Sequence, residues 1–367
     1  MKIGIDARLI NETGVGRYIR NLLSQLKELD TENEYVIYLP TSGSNDFMLP
    51  NKRWEKKYIS VRWHTLLEQL VLPFIFARDK LDLLHVPYFN IPIFYFGTCI
   101  VTIHDLIILH VMTGKATTLP YPLYMLRKIG YYIVLAIGLM KATSILVPSN
   151  TTKQEIIDHF HISEKKIHVT YEGVDTSIMN EEIRMTNKGK IHGPYFLYVG
   201  NAYPHKNLER LVRAFADFSV KQKSTQYKLI MVGKNDFFYD KLKEYIKTLG
   251  IEKQVQILQS VSDEELNILY KNSLGLVFPS LMEGFGLPAL EATALGVPVM
   301  VSDIPIFHEI LNSIPLYVDP MDEKSISEGL VKLATGKFVG KKDAPFETRN
   351  KYSWRSLGVQ TLREYSV

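Results

Sequence analysis

Cysteine occurs once in this 367-residue chain, at Cys99. One thiol excludes an intramolecular disulfide and any zinc site built on cysteines. Cys99 stands just before the apolar run Ile100–Ile103 and reads as a small buried hydrophobe, consistent with a reducing compartment. Long uninterrupted apolar stretches are also missing. The most extended, Ile129–Met140, falls short of the roughly 20 residues that cross a bilayer and stops at Lys141, so it is expected to be a buried helix. The opening residues, Met1-Lys2-Ile3-Gly4-Ile5-Asp6, form a strand entering a polar turn, unlike a secretory leader. No Asp-x-Asp occurs, so a carboxylate pair for a metal-bound diphosphate is not evident, and no metal site is expected. The P-loop pattern G-x-x-x-x-G-K-[ST] and the nucleophile elbow G-x-S-x-G are absent as well. Charge of one sign is scarce in excess. A net charge of +4 is too small to point to nucleic acid, and it suits anionic ligands or an anionic membrane surface.

Hydrophobic residues make up 46% and charged residues 22%, a globular balance in a chain longer than one core usually supports, so two domains are expected. Short runs rich in Val and Ile recur. In the first half they are Ile3–Ile5, Tyr35–Leu39, Leu81–Val86, Ile100–Ile103, Ile145–Val147 and Ile167–Thr170. In the second they are Tyr195–Val199, Leu229–Val232, Val255–Leu258, Leu274–Phe278, Val299–Val301 and Leu316–Val318. Continuous apolar strands separated by helix-like segments predict parallel sheets covered on both faces, hence two similar open α/β domains. Asp175–Gly193 is polar and has no apolar period, as an interdomain linker would. The expected division is 1–180, a linker over 181–193, a second domain over 194–345, and a closing helix over 346–367 with Leu357, Leu362 and Tyr365 on its apolar stripe.

Glu283-Gly284-Phe285-Gly286-Leu287-Pro288-Ala289-Leu290-Glu291 follows the strand Leu274–Phe278. Glycines let the backbone turn sharply, and Pro288 suits the first turn of a helix. The N–H groups of a helix start attract anions. Glu283 then sits just before the turn and Glu291 in the first helical turn. One carboxylate can accept hydrogen bonds from a ribose diol and the other can hold a sugar hydroxyl. The segment also matches G-x-G-x-x-A, but that dinucleotide fingerprint opens the first βα unit of its fold, and here it comes late with Pro288 inside it. A turn serving the fold alone would not account for an acid on each side.

Three further elements carry polar groups at the ends of strands, where open α/β sheets bind ligands. Lys206 follows the strand ending at Val199, and Asn207 is placed to cap the helix that carries Leu208, Leu211, Val212 and Phe215. A cation at Lys206 can neutralise a diphosphate, whereas an ordinary lysine would be solvated. Gly14 and Gly16 lie in a loop after the first strand, whose backbone N–H groups could cradle a diphosphate. His104, in Thr102-Ile103-His104-Asp105, ends an apolar strand.

Taken together these residues resemble the family 4 retaining glycosyltransferases, in their bacterial mannosyltransferase-like branch. The similarity covers nearly the whole chain and is strongest from Tyr195 to Asp319. It includes Val147-Pro148-Ser149-Asn150 and Tyr171-Glu172-Gly173-Val174-Asp175. The resemblance implies the GT-B architecture, two Rossmann-like doubly wound α/β domains facing across a cleft. It assigns Glu291 to the ribose of the nucleotide and Glu283 to the transferred sugar. Phe285, Gly286 and Leu287, with Gly284, form the turn that contacts sugar hydroxyls and phosphate. Lys206 and Gly14 are assigned to the diphosphate, and His104 to the neighbourhood of donor sugar and acceptor. Many relatives carry Arg where this chain has Asn201, and commonly Arg at His205, so either less positive charge meets the diphosphate here or another cation, such as Arg8 or Arg17, compensates.

The implied reaction moves a hexose, mannose as the best reading, from a nucleoside diphosphate sugar such as GDP-mannose to a saccharide or lipid-linked saccharide acceptor in surface polysaccharide synthesis. No cofactor or metal is expected, and no nucleic acid partner. The runner-up donor is a UDP-sugar, for a glucosyl- or GlcNAc-type transfer. From other classes come a nicotinamide oxidoreductase, which rests only on the G-x-G-x-x-A match, and a GT-B pseudoenzyme. A cytoplasmic location, peripheral on the inner face of the cell membrane, is expected. Basic and aromatic residues mix in Trp54–Tyr58, Val61–His64 and Tyr121–Tyr132, which could touch anionic lipid.

Overall fold

The computed structural model describes residues 1–41, 47–63, 65–110, 121–174, 191, 193–338 and 344–366. They divide into two compact units, Met1–Gly173 with Ser353–Val367, and Val174–Tyr352. Of the expected linker over 181–193, all but 191 and 193 lie outside the described residues.

In the first unit, β1 (Lys2–Asp6), β2 (Glu34–Pro40), β3 (Trp54–Ile59), β4 (Leu83–Val86), β5 (Cys99–Thr102), β6 (Ser144–Val147) and β7 (Ile167–Val169) form one sheet in the order β3-β2-β1-β4-β5-β6-β7. Its helices are α1 (Gly14–Leu29), α2 (Leu66–Arg78), α3 (Ile107–His110), α4 (Tyr121–Lys141) and α5 (Asn150–Phe160). In the second unit, β8 (Tyr195–Val199), β9 (Lys228–Val232), β10 (Val255–Leu258), β11 (Gly275–Phe278), β12 (Val299–Ser302) and β13 (Leu316–Val318) are ordered β10-β9-β8-β11-β12-β13. They alternate with α6 (Leu208–Lys221), α7 (Phe237–Thr248), α8 (Asp263–Lys271), α9 (Leu287–Ala294), α10 (Pro305–Leu311), α11 (Glu323–Ala334) and α12 (Ala344–Lys351). The chain then returns to the first unit as α13 (Trp354–Tyr365), so the stretch expected to be one closing helix is shared between α12 and α13.

All strand pairings are parallel. Each sheet reverses direction where its first strand meets its fourth, between β1 and β4 and between β8 and β11. Such switch points leave a crevice beyond the carboxyl ends of the two strands, the preferred ligand position in open α/β sheets. The sheets are two-sided, as their continuous apolar runs predict: β4, β5, β6, β11 and β12 are buried at every position. Cys99 is buried as expected, and burial pushes its thiol up to about 12.

Two further elements differ from the sequence expectation. The first sheet has a seventh strand, β3, whose Glu55, Lys56 and Lys57 conceal it from an apolar scan. It is an edge strand that buries only its end residues, Trp54 and Ile59, and Trp54 stacks on Tyr35 with ring centroids 4.3 Å apart. Charged residues, lysines above all, are what an open sheet edge tolerates. The segment Ile129–Met140, expected to be a short buried helix, belongs to the longer α4. Residues Pro122–Lys141 have a mean hydropathy of 1.4, enough in length and composition to cross a membrane, yet only 17% of the window is buried. Leu135 and Leu139 face the core, while Leu126, Ile129 and Ile133 are exposed.

Candidate active site

In the second unit the site grows from the ends of the two strands flanking the switch point. β8 ends at Val199, and a short 3-10 turn, Pro204–Lys206, leads into α6. β11 ends at Phe278 and continues through Pro279–Glu283 to the glycine turn. The two loops are joined by a backbone bond from Leu281 N to His205 O at 2.7 Å. Asn207 adds a side-chain staple: its Nδ2 donates to Pro279 O at 3.0 Å and Pro320 O at 2.7 Å, linking the loops after β8, β11 and β13. Asn207 is the residue before α6, as expected, but it makes no side-chain capping bond to the helix. Its left-handed φ of 62°, a conformation Asn tolerates, sends the amide towards the neighbouring loops instead.

Lys206 and Glu283 meet there. Lys206 Nζ donates to Glu283 Oε1 at 2.6 Å, with side chains 12% and 8% exposed. The ammonium also lies 5.3 Å from the centroid of the Phe278 ring. A nearly buried ion pair is weakly stabilising at best, because desolvation opposes the attraction. It does hold each group ready for a charged partner of the other. Neither residue at the two departures restores the missing cation. Asn201 is uncharged, and its Oδ1 is buried without a hydrogen-bond partner. Burial, with Lys206 alongside, pushes the His205 imidazole down to about 3, so it is neutral near pH 7.

The turn after Glu283 requires a glycine at one position. Gly286 has φ 93°, and a Cβ there would come within 2.7 Å of Phe307 Cε1. α9 begins at Leu287 with Pro288 in its first turn, and Phe285 is buried, 5.9 Å from the Tyr352 ring. Glu291, expected in the first turn of this helix, is its fifth residue and therefore lies in the second, because the helix opens one residue before the proline. It is 7% exposed and accepts a hydrogen bond from Tyr270 OH at 3.2 Å. Glu283, Gly284, Phe285, Gly286, Leu287, Glu291 and Lys206 thus all belong to one unit, at the carboxyl ends of β8 and β11. The G-x-G-x-x-A glycines follow the fourth strand of their sheet and not the first, against a dinucleotide fingerprint.

The first unit holds a separate group of polar residues. His104, beyond β5, contacts Glu172 Oε1 through Nδ1 at 3.1 Å and Pro87 O through Nε2 at 3.2 Å. Both partners are acceptors, so a neutral ring donates to one of them and an imidazolium to both. The Tyr18 ring meets His104 edge-on at 4.7 Å. Tyr18 OH in turn shares a hydrogen bond with Thr102 Oγ1 at 3.1 Å, and Thr102 with the fully buried His85 at 2.9 Å. Glu172, 5% exposed, was visible in the sequence only as part of the Tyr171–Asp175 element. Nothing in its spacing linked it to His104, which is 68 positions away.

Gly14 and Gly16, expected in a loop before the helix, are instead inside the first turn of α1, which starts at Gly14. Gly16 is a packing position, since a Cβ would come 2.7 Å from Ile10 O; Gly14 has open space around it. Arg8 is not a spare cation. Its guanidinium donates to Asp6 at 2.8 and 2.7 Å and to Glu68 Oε1 at 2.5 Å, and Glu68 also accepts from Asn90. The two carboxylates raise the Arg8 pKa despite its burial. Arg17 lies half-buried in the first turns of α1.

Two family models divide this chain between them. One, Glycosyltransferase Family 4, matches residues 13–178, and the other, Glycosyl transferases group 1, matches residues 180–352. The chain belongs to the family 4 glycosyltransferases. Among curated members, it is 36% identical over 206 residues to the O-antigen chain mannosyltransferase RfbU of Salmonella typhimurium, covering 56% of this chain and 55% of that protein. It is 30% identical over 182 residues to O-antigen chain mannosyltransferase B of Escherichia coli, covering 47% and 46%. The chain thus spans about half the length of the curated relatives it matches. Solved glycosyltransferase structures align over almost all of it. Sucrose-phosphate synthase from Thermosynechococcus elongatus gives a TM-score of 0.79 at 18% identity, covering 100% of this chain and 98% of that one. WaaG, a glycosyltransferase involved in lipopolysaccharide biosynthesis, gives 0.73 at 16% identity, again covering 100% and 98%. The fold of this family 4 glycosyltransferase is GT-B, two Rossmann-like domains.

Proposed function

We propose that this family 4 glycosyltransferase moves a hexose, mannose from GDP-mannose, to a hydroxyl of a saccharide or lipid-linked saccharide in surface polysaccharide synthesis, with retention at the anomeric carbon. The observation that carries the reading is the Lys206–Glu283 pair at the β8/β11 switch point, with Glu291 one turn into the adjoining helix. Relatives named as O-antigen mannosyltransferases support the choice of sugar.

When the bond between the anomeric carbon and the diphosphate oxygen breaks, negative charge gathers on the leaving oxygen and positive charge on the sugar ring. Lys206 exchanges Glu283 for the diphosphate and stabilises the first. Glu283, released, faces the sugar hydroxyls and the electron-poor ring. The backbone of the Gly284–Leu287 turn and the start of α9 add N–H donors and dipole. Glu291 accepts hydrogen bonds from the ribose diol. The departing phosphate takes the proton of the acceptor hydroxyl on the same face, so no separate carboxylate base and no metal enter the step. His104, oriented by Glu172, is assigned to the sugar and acceptor, and Gly14 with Gly16 to the diphosphate. The reaction is placed on the cytoplasmic side of the cell membrane.

The test begins with turnover of GDP-, UDP- and dTDP-sugars. GDP-mannose is expected to turn over fastest; a UDP-sugar in its place would transfer the reading to a glucosyl- or GlcNAc-type donor. Lys206→Ala and Glu283→Ala should each lower kcat by about a hundredfold or more, the scale for losing one charge-stabilising contact. Removing one member of a buried pair also leaves a lone charge, so Lys206→Met and Glu283→Gln, checked for native circular dichroism, separate chemistry from folding. Glu291→Ala should raise the donor KM more than it lowers kcat. Near-normal turnover in Glu283→Gln, or a strict dependence on divalent metal, would refute the mechanism.

A further inference from the structure

One surface of the first unit serves neither half of the polar machinery. α2 exposes Leu66, Leu67, Leu70 and Phe74, the first and last at 86% and 77%. α4 exposes Leu126, Ile129 and Ile133 on the side opposite its core residues Leu135 and Leu139. The loop between β4 and β5 adds Phe94 and Phe96, both exposed. The loop is fastened to both helices, which makes these three pieces neighbours. Ile93 N donates to Gln69 Oε1 of α2 at 2.9 Å. Lys141, the last residue of α4, donates to Ile93 O at 2.6 Å and Tyr95 O at 3.0 Å, and its Nζ lies 4.2 Å from the Phe96 ring centroid.

So many large exposed apolar side chains on neighbouring elements are rare on a surface that meets only water. Its charge pattern selects the occupant. α4 and residues 91–97 contain no acidic residue, and the only acid of α2, Glu68, is fully buried against Arg8 and Asn90. The cations of the same pieces are Arg78, Arg127, Lys128 and Lys141. Large apolar side chains edged by lysine and arginine, with no exposed carboxylate, complement the headgroup–acyl boundary of an anionic bilayer.

α4 is long enough to span a bilayer, but its packing holds it at the surface. Leu135 and Leu139 belong to the first unit's core, and Gly138 lies so close to Ile91 that an added Cβ would come within 2.3 Å of its side chain. Extracting the helix into lipid would open that core. Of the residues that suggested lipid contact in the sequence, Trp54 is buried against Tyr35 and takes no part.

We propose that the face formed by α2, the Ile91–Gly97 loop and α4 is a monotopic docking surface for anionic lipid, holding the enzyme on the membrane without crossing it. This goes beyond the donor chemistry and does not depend on it. The experiment is vesicle flotation of the full chain with phosphatidylcholine alone and with added phosphatidylglycerol. The chain should float with the anionic vesicles, and alkaline carbonate should release it. Phe74→Glu combined with Leu126→Glu and Ile129→Glu should lower the vesicle-bound fraction at least about tenfold, since three buried apolar contacts are replaced by charges that anionic lipid repels. Arg78→Gln with Arg127→Gln should weaken binding to the anionic vesicles only. Donor turnover in solution should be unchanged in all these variants, so failure of the surface and failure of the donor reading are read separately. Absence of flotation, or flotation untouched by the triple change, would overturn the proposal. So would resistance to carbonate, which marks a spanning helix, or a lipid-free dimer that the same changes dissolve, which marks a second copy as the occupant.

Discussion

His85 shows what a single residue contributes beyond the site. It is fully buried, with Nδ1 2.6 Å from Tyr365 OH and Nε2 2.9 Å from Thr102 Oγ1, and burial with His104 nearby pushes its imidazole down to about 3. In the unfolded chain the same ring takes a proton near its ordinary value of 6.5. Between those limits the unfolded state binds more protons, so stability is complete above the upper value and falls as pH drops towards the lower. The slope from this residue is at most about 1.4 kcal/mol per pH unit. Urea unfolding measured between neutral pH and about pH 5 should show the decline, and His85→Gln should flatten it. A slope of opposite sign would mean that the ring is charged in the native protein. The sequence places His104 at the end of a strand and His85 within one, but only the packed structure gives one hydroxyl partners and the other a carboxylate. The sequence placed Glu283 and Lys206 in loops that follow apolar strands, and the structure brings the two together. Glu172 was not, because its partner is supplied by another strand.

At the scale of elements, the central parallel strands β4, β5, β6, β11 and β12 could be read from the sequence because they are buried on both faces and so are largely apolar. β3 escaped because an edge strand buries so little that its charged middle dominates the pattern. α4 was misjudged for the opposite reason, since its apolar residues are divided between the core and an exposed face, and composition alone does not reveal that division. Helix starts were legible to within a residue or two, yet that margin moved Glu291 by a turn and drew Gly14 and Gly16 into α1. Loop geometry was least legible, and there Asn207 matters most, because it joins the ends of β8, β11 and β13. Asn207→Ala should cost about 2–4 kcal/mol, from two lost hydrogen bonds to buried carbonyls and a left-handed alanine. It should also lower kcat/KM by loosening the register of Lys206 with Glu283. Asn207→Gly, which relieves the backbone but not the bonds, should recover part of the stability and little of the activity. Equal activity in wild type and Asn207→Gly would remove the staple from the account.

For the whole molecule, the notable feature is connectivity. The first unit is interrupted after Gly173 and resumes at Ser353, and α13 lies against α1 with Leu357 and Tyr365 buried. Ending the chain at Tyr352 removes a helix from one unit and nothing from the other. Calorimetry of such a truncation should show the second unit's unfolding largely preserved and the first unit's lowered or lost. Unfolding like that of the full chain would show α13 to be dispensable.

This connectivity also orders events at the ribosome. Domains generally fold as units while synthesis proceeds. Here the first unit cannot finish its packing until α13 has emerged, whereas Val174–Tyr352 precedes α13 in the chain. The nascent chain therefore carries a first unit that lacks α13, and the apolar face of α2 and α4 with it, throughout translation of the second unit. A chaperone or a membrane close to the exit tunnel would meet that face before any sugar nucleotide could be turned over.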